Sequence, residues 1–196
     1  MRSFTTILAS TTLLAVGALA APGNEWGGSG YGGWGSGKRP NWWPGRQSAC
    51  LSDSDAQTVA DNFKESIAAY SDAQADADFT TDFTDYSDSV IELIDNGCPN
   101  TPVALGTATF DSLASFKAGQ GSQPPIPFEI LNLWHNCDTI TIRWKSAQTP
   151  AQVTGIIVIE AEQQNGKWMI HTVYSEFNSG AWLVNLGIFK PSNCTA

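Results

Sequence analysis

The stretch QNGKWMIHTVYSEF, residues 164–177, decides how this chain is read. Gln164-Asn165-Gly166-Lys167 is a hairpin turn signal, since asparagine and glycine tolerate the positive φ that tight turns demand. Trp168 to Phe177 then forms one arm of the hairpin, and the β-branched run Val153 to Gln163 forms the other. Working outward, Asp138 to Lys145 alternates: Ile140, Ile142 and Trp144 share one side, and Thr139, Thr141 and Arg143 the other. Phe128 to Asn136 is apolar and extended. Together these segments predict an antiparallel meander over the second half of the chain.

Upstream the period changes. Val59, Phe63, Ile67 and Tyr70 form one stripe of an amphipathic helix over about residues 54–74, capped by Ser52 or Asp53. Eight acids follow without a base: Asp72, Asp76, Asp78, Asp82, Asp85, Asp88, Glu92 and Asp95. Their spacing does not match a calcium loop, which needs acids at alternate positions, a central glycine and a late glutamate. They are expected to form a solvated acidic face, with Phe79, Phe83 and Tyr86 as anchors. A short strand is expected at about 82–87, a helical turn or short strand at Val90 to Asp95, and a brief extended piece at Val103 to Leu105. A short helix opens at Thr109 or Asp111 and runs through Lys117. Helices first and a meander second imply an α+β domain.

The chain begins with Arg2, an apolar run from Ile7 to Val16, and Ala18-Leu19-Ala20. That pattern predicts a signal peptide over residues 1–20 and a secreted, extracellular product. No other stretch is apolar enough for a membrane span. Residues 21–49 are rich in Gly and Trp, lack aliphatics, and are expected to be disordered. The folded domain is expected over 50–196. From Cys50 onward the chain holds 18 acidic and 6 basic side chains, a net of −12 (6 minus 18), so nucleic-acid binding is not expected. Cys50, Cys98, Cys137 and Cys194 lack a CxxC pair. In a secreted chain they are expected to form two disulfides and no metal site, with three connectivities open. No nucleotide or metal fingerprint occurs, so no cofactor is expected.

The turn and strand Asn165-Gly166-Lys167-Trp168-Met169-Ile170, with Tyr174 to Asn178 after it, resemble the hairpin of the nuclear transport factor 2-like superfamily, also called SnoaL-like or cone-fold. The tail from Glu176 to Trp182 is similar to that of secreted fungal members. The resemblance covers about residues 50–190. It implies N-terminal helices packed on a curved antiparallel sheet whose concave face holds a pocket. It also implies a choice of roles, since the superfamily holds isomerase-like, dehydratase-like and cyclase-like enzymes beside non-enzymatic binding domains. No catalytic residue carries over position by position.

The residues themselves offer candidates. His135 and His171 sit in predicted strands, and a neutral imidazole serves as a base near neutral pH. Tyr174 and Glu176 share one face of the last strand, and His171 takes the other. A hydrogen-bonded, half-buried role competes for each histidine. Trp134, Trp144 and Trp182 are candidate ligand contacts, with core packing as the competing role. After Phe177 the apolar tail is expected to return along the sheet. That path would join Cys137 to Cys194 and leave Cys50 for Cys98. The expected function is a secreted domain that binds an apolar small molecule or a partner surface. Alternatives are a cyclase, dehydratase or isomerase acting on a small polyketide-like or terpenoid molecule, and a wall-associated or host-directed interaction protein. A homodimer through the sheet is a further expectation.

Overall fold

A computed structural model describes residues 50–98 and 101–192. The leader expected at 1–20, the Gly/Trp-rich segment at 21–49 and Cys194 lie outside the described residues.

Helix α1 (Asp53–Ala68) starts at Ser52, where a capping box closes. Ser52 Oγ accepts from the Asp55 amide at 3.2 Å, and the Asp55 carboxylate accepts from the Ser52 amide at 3.1 Å. The helix is shorter than its sequence stripe suggested. Ser71 caps a new helix, α2 (Asp72–Asp78), so the expected single helix is two. Strand β1 (Phe79–Tyr86) follows directly. Ser87 then caps α3 (Asp88–Ile94), which settles the helix-or-strand alternative at Val90 to Asp95 as helix. No strand forms at Val103 to Leu105. Helix α4 (Leu113–Gln120) is capped by Ser112. The meander is β2 (Glu129–His135), β3 (Thr139–Ser146), β4 (Val153–Gln164) and β5 (Lys167–Phe177). At the turn between the last two, Asn165 and Gly166 both take positive φ, 52° and 81°. Helix α5 (Ser179–Asn185) ends the described fold. None of the described helices is long and apolar enough to cross a membrane.

The fold is α+β, with a five-stranded sheet in the order β1-β5-β4-β3-β2. Four strands run antiparallel as expected, but β1 lies parallel to β5, which makes the sheet mixed. The free edge of β1 is partly closed by a bridge from Asp85 to Phe110, with the Asp85 amide donating to the Phe110 carbonyl at 2.8 Å. The core joins Val59 and Phe63 of α1 to Ile140, Ile142, Ile157, Ile159, Ile170 and Val173 of the sheet. Phe79, Phe83 and Phe116 form a ring cluster at its centre, with centroids 4.9–5.2 Å apart.

Two expectations are corrected. The tail does not return along the sheet. It turns into α5, whose Leu183 is buried, and Trp182 packs on Phe177 at 5.1 Å. The disulfide joins Cys50 to Cys137, so Cys50 does not pair with Cys98, nor Cys137 with Cys194. The reason lies at the start of α1, where the Leu51 amide donates to the Cys137 carbonyl at 2.8 Å. That bond sets the beginning of the helix beside the β2–β3 turn. Cys98 is exposed and has no disulfide partner among the described residues.

Candidate functional site

The acidic block does not form one solvated face. Three of its eight carboxylates, Asp78, Asp85 and Asp95, are buried. Two of the three have partners. Asp78 accepts from Lys167 Nζ at 2.8 Å and from Asn62 Nδ2 at 3.0 Å. Asp95 accepts from the amides of Thr101 and Val103 at 3.0 and 3.1 Å. Asp85 differs: its Oδ1 is enclosed and has no hydrogen-bond partner among the described residues. Burial, with the charge of Glu176 as a smaller cause, pushes its carboxyl up to about 7.

Asp85 lines a cavity of about 690 Å³ between the sheet and the helices. That volume suits a small organic molecule. Its walls are mainly apolar and aromatic. Phe110 and Phe116 stand on one side of the ring network, with centroids 5.6 Å apart. Phe128 stacks on Trp144 at 4.6 Å, Trp144 meets Phe177 edge to face at 5.8 Å, and Trp182 continues the series. Val90, Leu93 and Ile94 bring α3 into the wall, and Ser175, Gln120 and Asn185 add neutral polar groups. Among the described residues, Asp85 is the one charged residue in the lining.

The strand pattern explains why an aspartate points inward. Phe83 and Asp85 are two residues apart on β1, so they share a face, while Tyr86 takes the other. Phe83 is fully buried, which carries Asp85 in with it. That phase was the available sequence signal. It was hidden by the run of exposed acids around it.

The candidate residues fall elsewhere. His135 Nε2 meets Asp53 Oδ1 at 2.9 Å at the start of α1, and this bond raises the pKa of the imidazole. His171 pairs through Nδ1 with Thr172 Oγ1 at 2.8 Å and sits in a separate polar recess with Asp138, Glu160 and Glu162. Neither histidine lines the large cavity. Tyr174 is exposed and stacks on Tyr86 with centroids 5.5 Å apart; burial first, then Glu160, raises the pKa of its phenol. Glu176 closes the N-terminus of α3, accepting from the amides of Asp88 and Ser89 at 3.0 and 3.1 Å and from the Ser89 hydroxyl. Trp144 and Trp182 line the cavity; Trp134 stands exposed on the far face of the sheet. Among the described residues, no group of three or more His, Cys, Asp or Glu side chains is arranged to hold a metal ion.

No curated protein matches the chain. Solved structures do. A loop-truncation variant of IdmH is 12% identical, covers 67% of this chain and 99% of its own, and superposes with a TM-score of 0.49. AclR, a putative hydroxylase from Streptomyces galilaeus, is 14% identical over 71% of this chain and 89% of its own, with a TM-score of 0.46. An NTF-2-like protein of unknown function from Silicibacter pomeroyi is 8% identical over 64% and 94%, with a TM-score of 0.42. A family model described as an NTF2-like domain matches residues 49–189. With that match spanning most of its length, the chain belongs to the NTF2-like domain family.

Proposed function

We propose that this is a secreted ligand-binding domain that takes an apolar small molecule into the cavity between sheet and helices. The observation that carries the reading is the cavity itself, about 690 Å³ with mainly apolar walls and one enclosed carboxyl. Removing a ligand's apolar surface from water supplies the affinity, and Asp85 supplies the polar contact that fixes orientation. The leader-like sequence over residues 1–20 supports secretion.

Titration with Nile red, a neutral apolar dye, tests the reading. Its fluorescence should rise and saturate. Ala147→Trp places bulk in the lining at an exposed position and should weaken uptake about tenfold without lowering Tm. Unsaturable uptake, or uptake indifferent to that substitution, would count against a defined cavity site.

One observation favours a second reading, an enzyme of the cyclase, dehydratase or isomerase kind. A carboxyl titrating near 7 inside an apolar cavity exchanges its proton in the range useful to an acid or base. Asp85 would then do the work expected of the histidines. Turnover of a small polyketide-like or terpenoid molecule that vanishes in Asp85→Asn would support this reading over simple binding.

A further inference from the structure

The cavity's apolar walls do not account for its charge. The walls alone would suit any apolar molecule, yet they enclose an aspartate that no described group neutralises. Among the described residues, Asp85 Oδ1 is buried without a partner, and no lysine, arginine or histidine lines the space. Of the charged groups around it, Glu176 of β5 acts on Asp85, and its own carboxylate is occupied by the α3 amides. The parts of α1, α3, α4 and α5 that line the cavity bring no charge to it. Leaving a carboxyl so placed is costly, and a ligand that satisfied it would recover that cost.

Three ligand classes respond differently. A carboxylic acid would set its anion near Asp85 and be repelled. A neutral alcohol or ketone would use the walls and at most one hydrogen bond. An amine with an apolar body gains from both the walls and Asp85, while the enclosed Trp144 Nε1–H, a donor without a partner among the described residues, adds nothing for it. Its ammonium brings N–H donors and the opposite charge to Asp85, in surroundings where little water screens the pair. Aromatic faces such as those of Phe116, Trp144 and Trp182 attract cations as well. The net −12 from Cys50 onward favours a cation's approach.

We infer that the cavity is selective for lipophilic monoamines, with the ligand's ammonium paired to Asp85. This rests on the proposed small-molecule function and adds the ligand's chemical class. Pairing would pull the Asp85 carboxyl back down from its raised value, so uptake releases a proton wherever the empty cavity held one.

The test uses the full chain with Nile red bound and compares decylamine, decanol and decanoate as competitors. At about pH 8 the amine should displace the dye at roughly tenfold lower concentration than the alcohol, with decanoate weakest. That preference should shrink toward one as the pH is lowered to about 5, where Asp85 keeps its proton. Asp85→Asn should reduce it to about one at every pH, because an amide holds no charge. Equal potency of amine and alcohol on the wild-type protein, with dye still bound, would overturn the amine selectivity and leave the small-molecule reading standing. A protein that takes up neither dye nor amine would overturn both. The wild-type ratio decides the matter even if the variant fails to fold.

Discussion

On β5, Ile170, Val173 and Ser175 face inward to the core and the cavity, while Tyr174 and Glu176 face outward. His171 faces outward too, and not to the opposite side as strict alternation implied, because the register shifts between its neighbours Ile170 and Thr172. The two faces are built from one alternating sequence. The outward one holds three of the four residues that looked most chemical in the sequence. An outward face is where a strand keeps titratable side chains in water at little cost, so an abundance of them there marks solvation more than chemistry. The inward face carries few polar groups, and each is costly. On β1 one of them, Asp85, has an Oδ1 without a partner among the described residues. A polar residue in phase with buried aromatics says more about a site than a cluster of polar residues together.

The contrast is broken most directly by truncating an aromatic on each side. Phe116 is 1% exposed and touches Phe79, Phe83 and Phe110. Phe116→Ala should cost about 3–5 kcal/mol in chemical denaturation, from lost burial and the void left behind. Trp134 lies on the outer face, 53% exposed. Trp134→Ala should change stability by no more than about 0.5 kcal/mol. A loss at Trp134 several times larger would mean that this face is covered in solution, as the homodimer expected from the sequence would do.

Asp85 sharpens the contrast through pH. Its folded pKa, about 7, lies above the ordinary 3.8 of an unfolded aspartate, so the native state holds a proton that the unfolded chain has released. The sign follows: its contribution is fully present below about pH 4 and is lost as pH rises through about 7. Asp85→Asn carries no such titration. The variant should match the wild type at about pH 4 and exceed it at about pH 8, by at most roughly 4 kcal/mol. Denaturation at both pH values checks this. A variant less stable than wild type at the higher pH would mean that the carboxylate is partnered after all.

Much of the architecture was legible because local signals agreed with it. Asn165-Gly166 fixed the hairpin, and the alternation at Ile140, Ile142 and Trp144 fixed the inner face of β3. The start of α1 was readable to within one residue, Ser52 or Asp53, and Ser52 is the cap. What escaped depended on long-range placement. Nothing local says that β1 joins β5 in parallel, since that pairing spans some 90 residues. The disulfide escaped for a similar reason: Cys50 and Cys137 are 87 residues apart, and they meet because the start of α1 rests on the β2–β3 turn. For the cavity, Trp144 and Trp182 were readable as aromatic contacts. Asp85 was not singled out, because neighbouring acids on the same block are exposed and masked its phase.

The smallest effect concerns the outer face alone. One row of paired residues crosses the whole sheet there: Tyr86, Tyr174, Val158, Thr141 and Trp134. Tyr86 and Tyr174 stack with an interplanar angle of 14°, although they are 39% and 43% exposed. Their contact joins the parallel edge strand β1 to the meander, so it bears on how firmly that edge is held. A stacked pair of this kind contributes about 0.5–1.5 kcal/mol, and exposure places it toward the low end. Single truncations to alanine remove burial as well as the contact, so a double-mutant cycle is needed. Tyr86→Ala, Tyr174→Ala and the double variant should give a coupling near 0.5 kcal/mol in urea unfolding. A coupling near zero would show that β1 is held by its backbone pairing and its inward residues, Phe83 among them. A coupling above about 1.5 kcal/mol would show that the outer face contributes to the edge as much as a core contact does, and the division between the two faces would fail at this point.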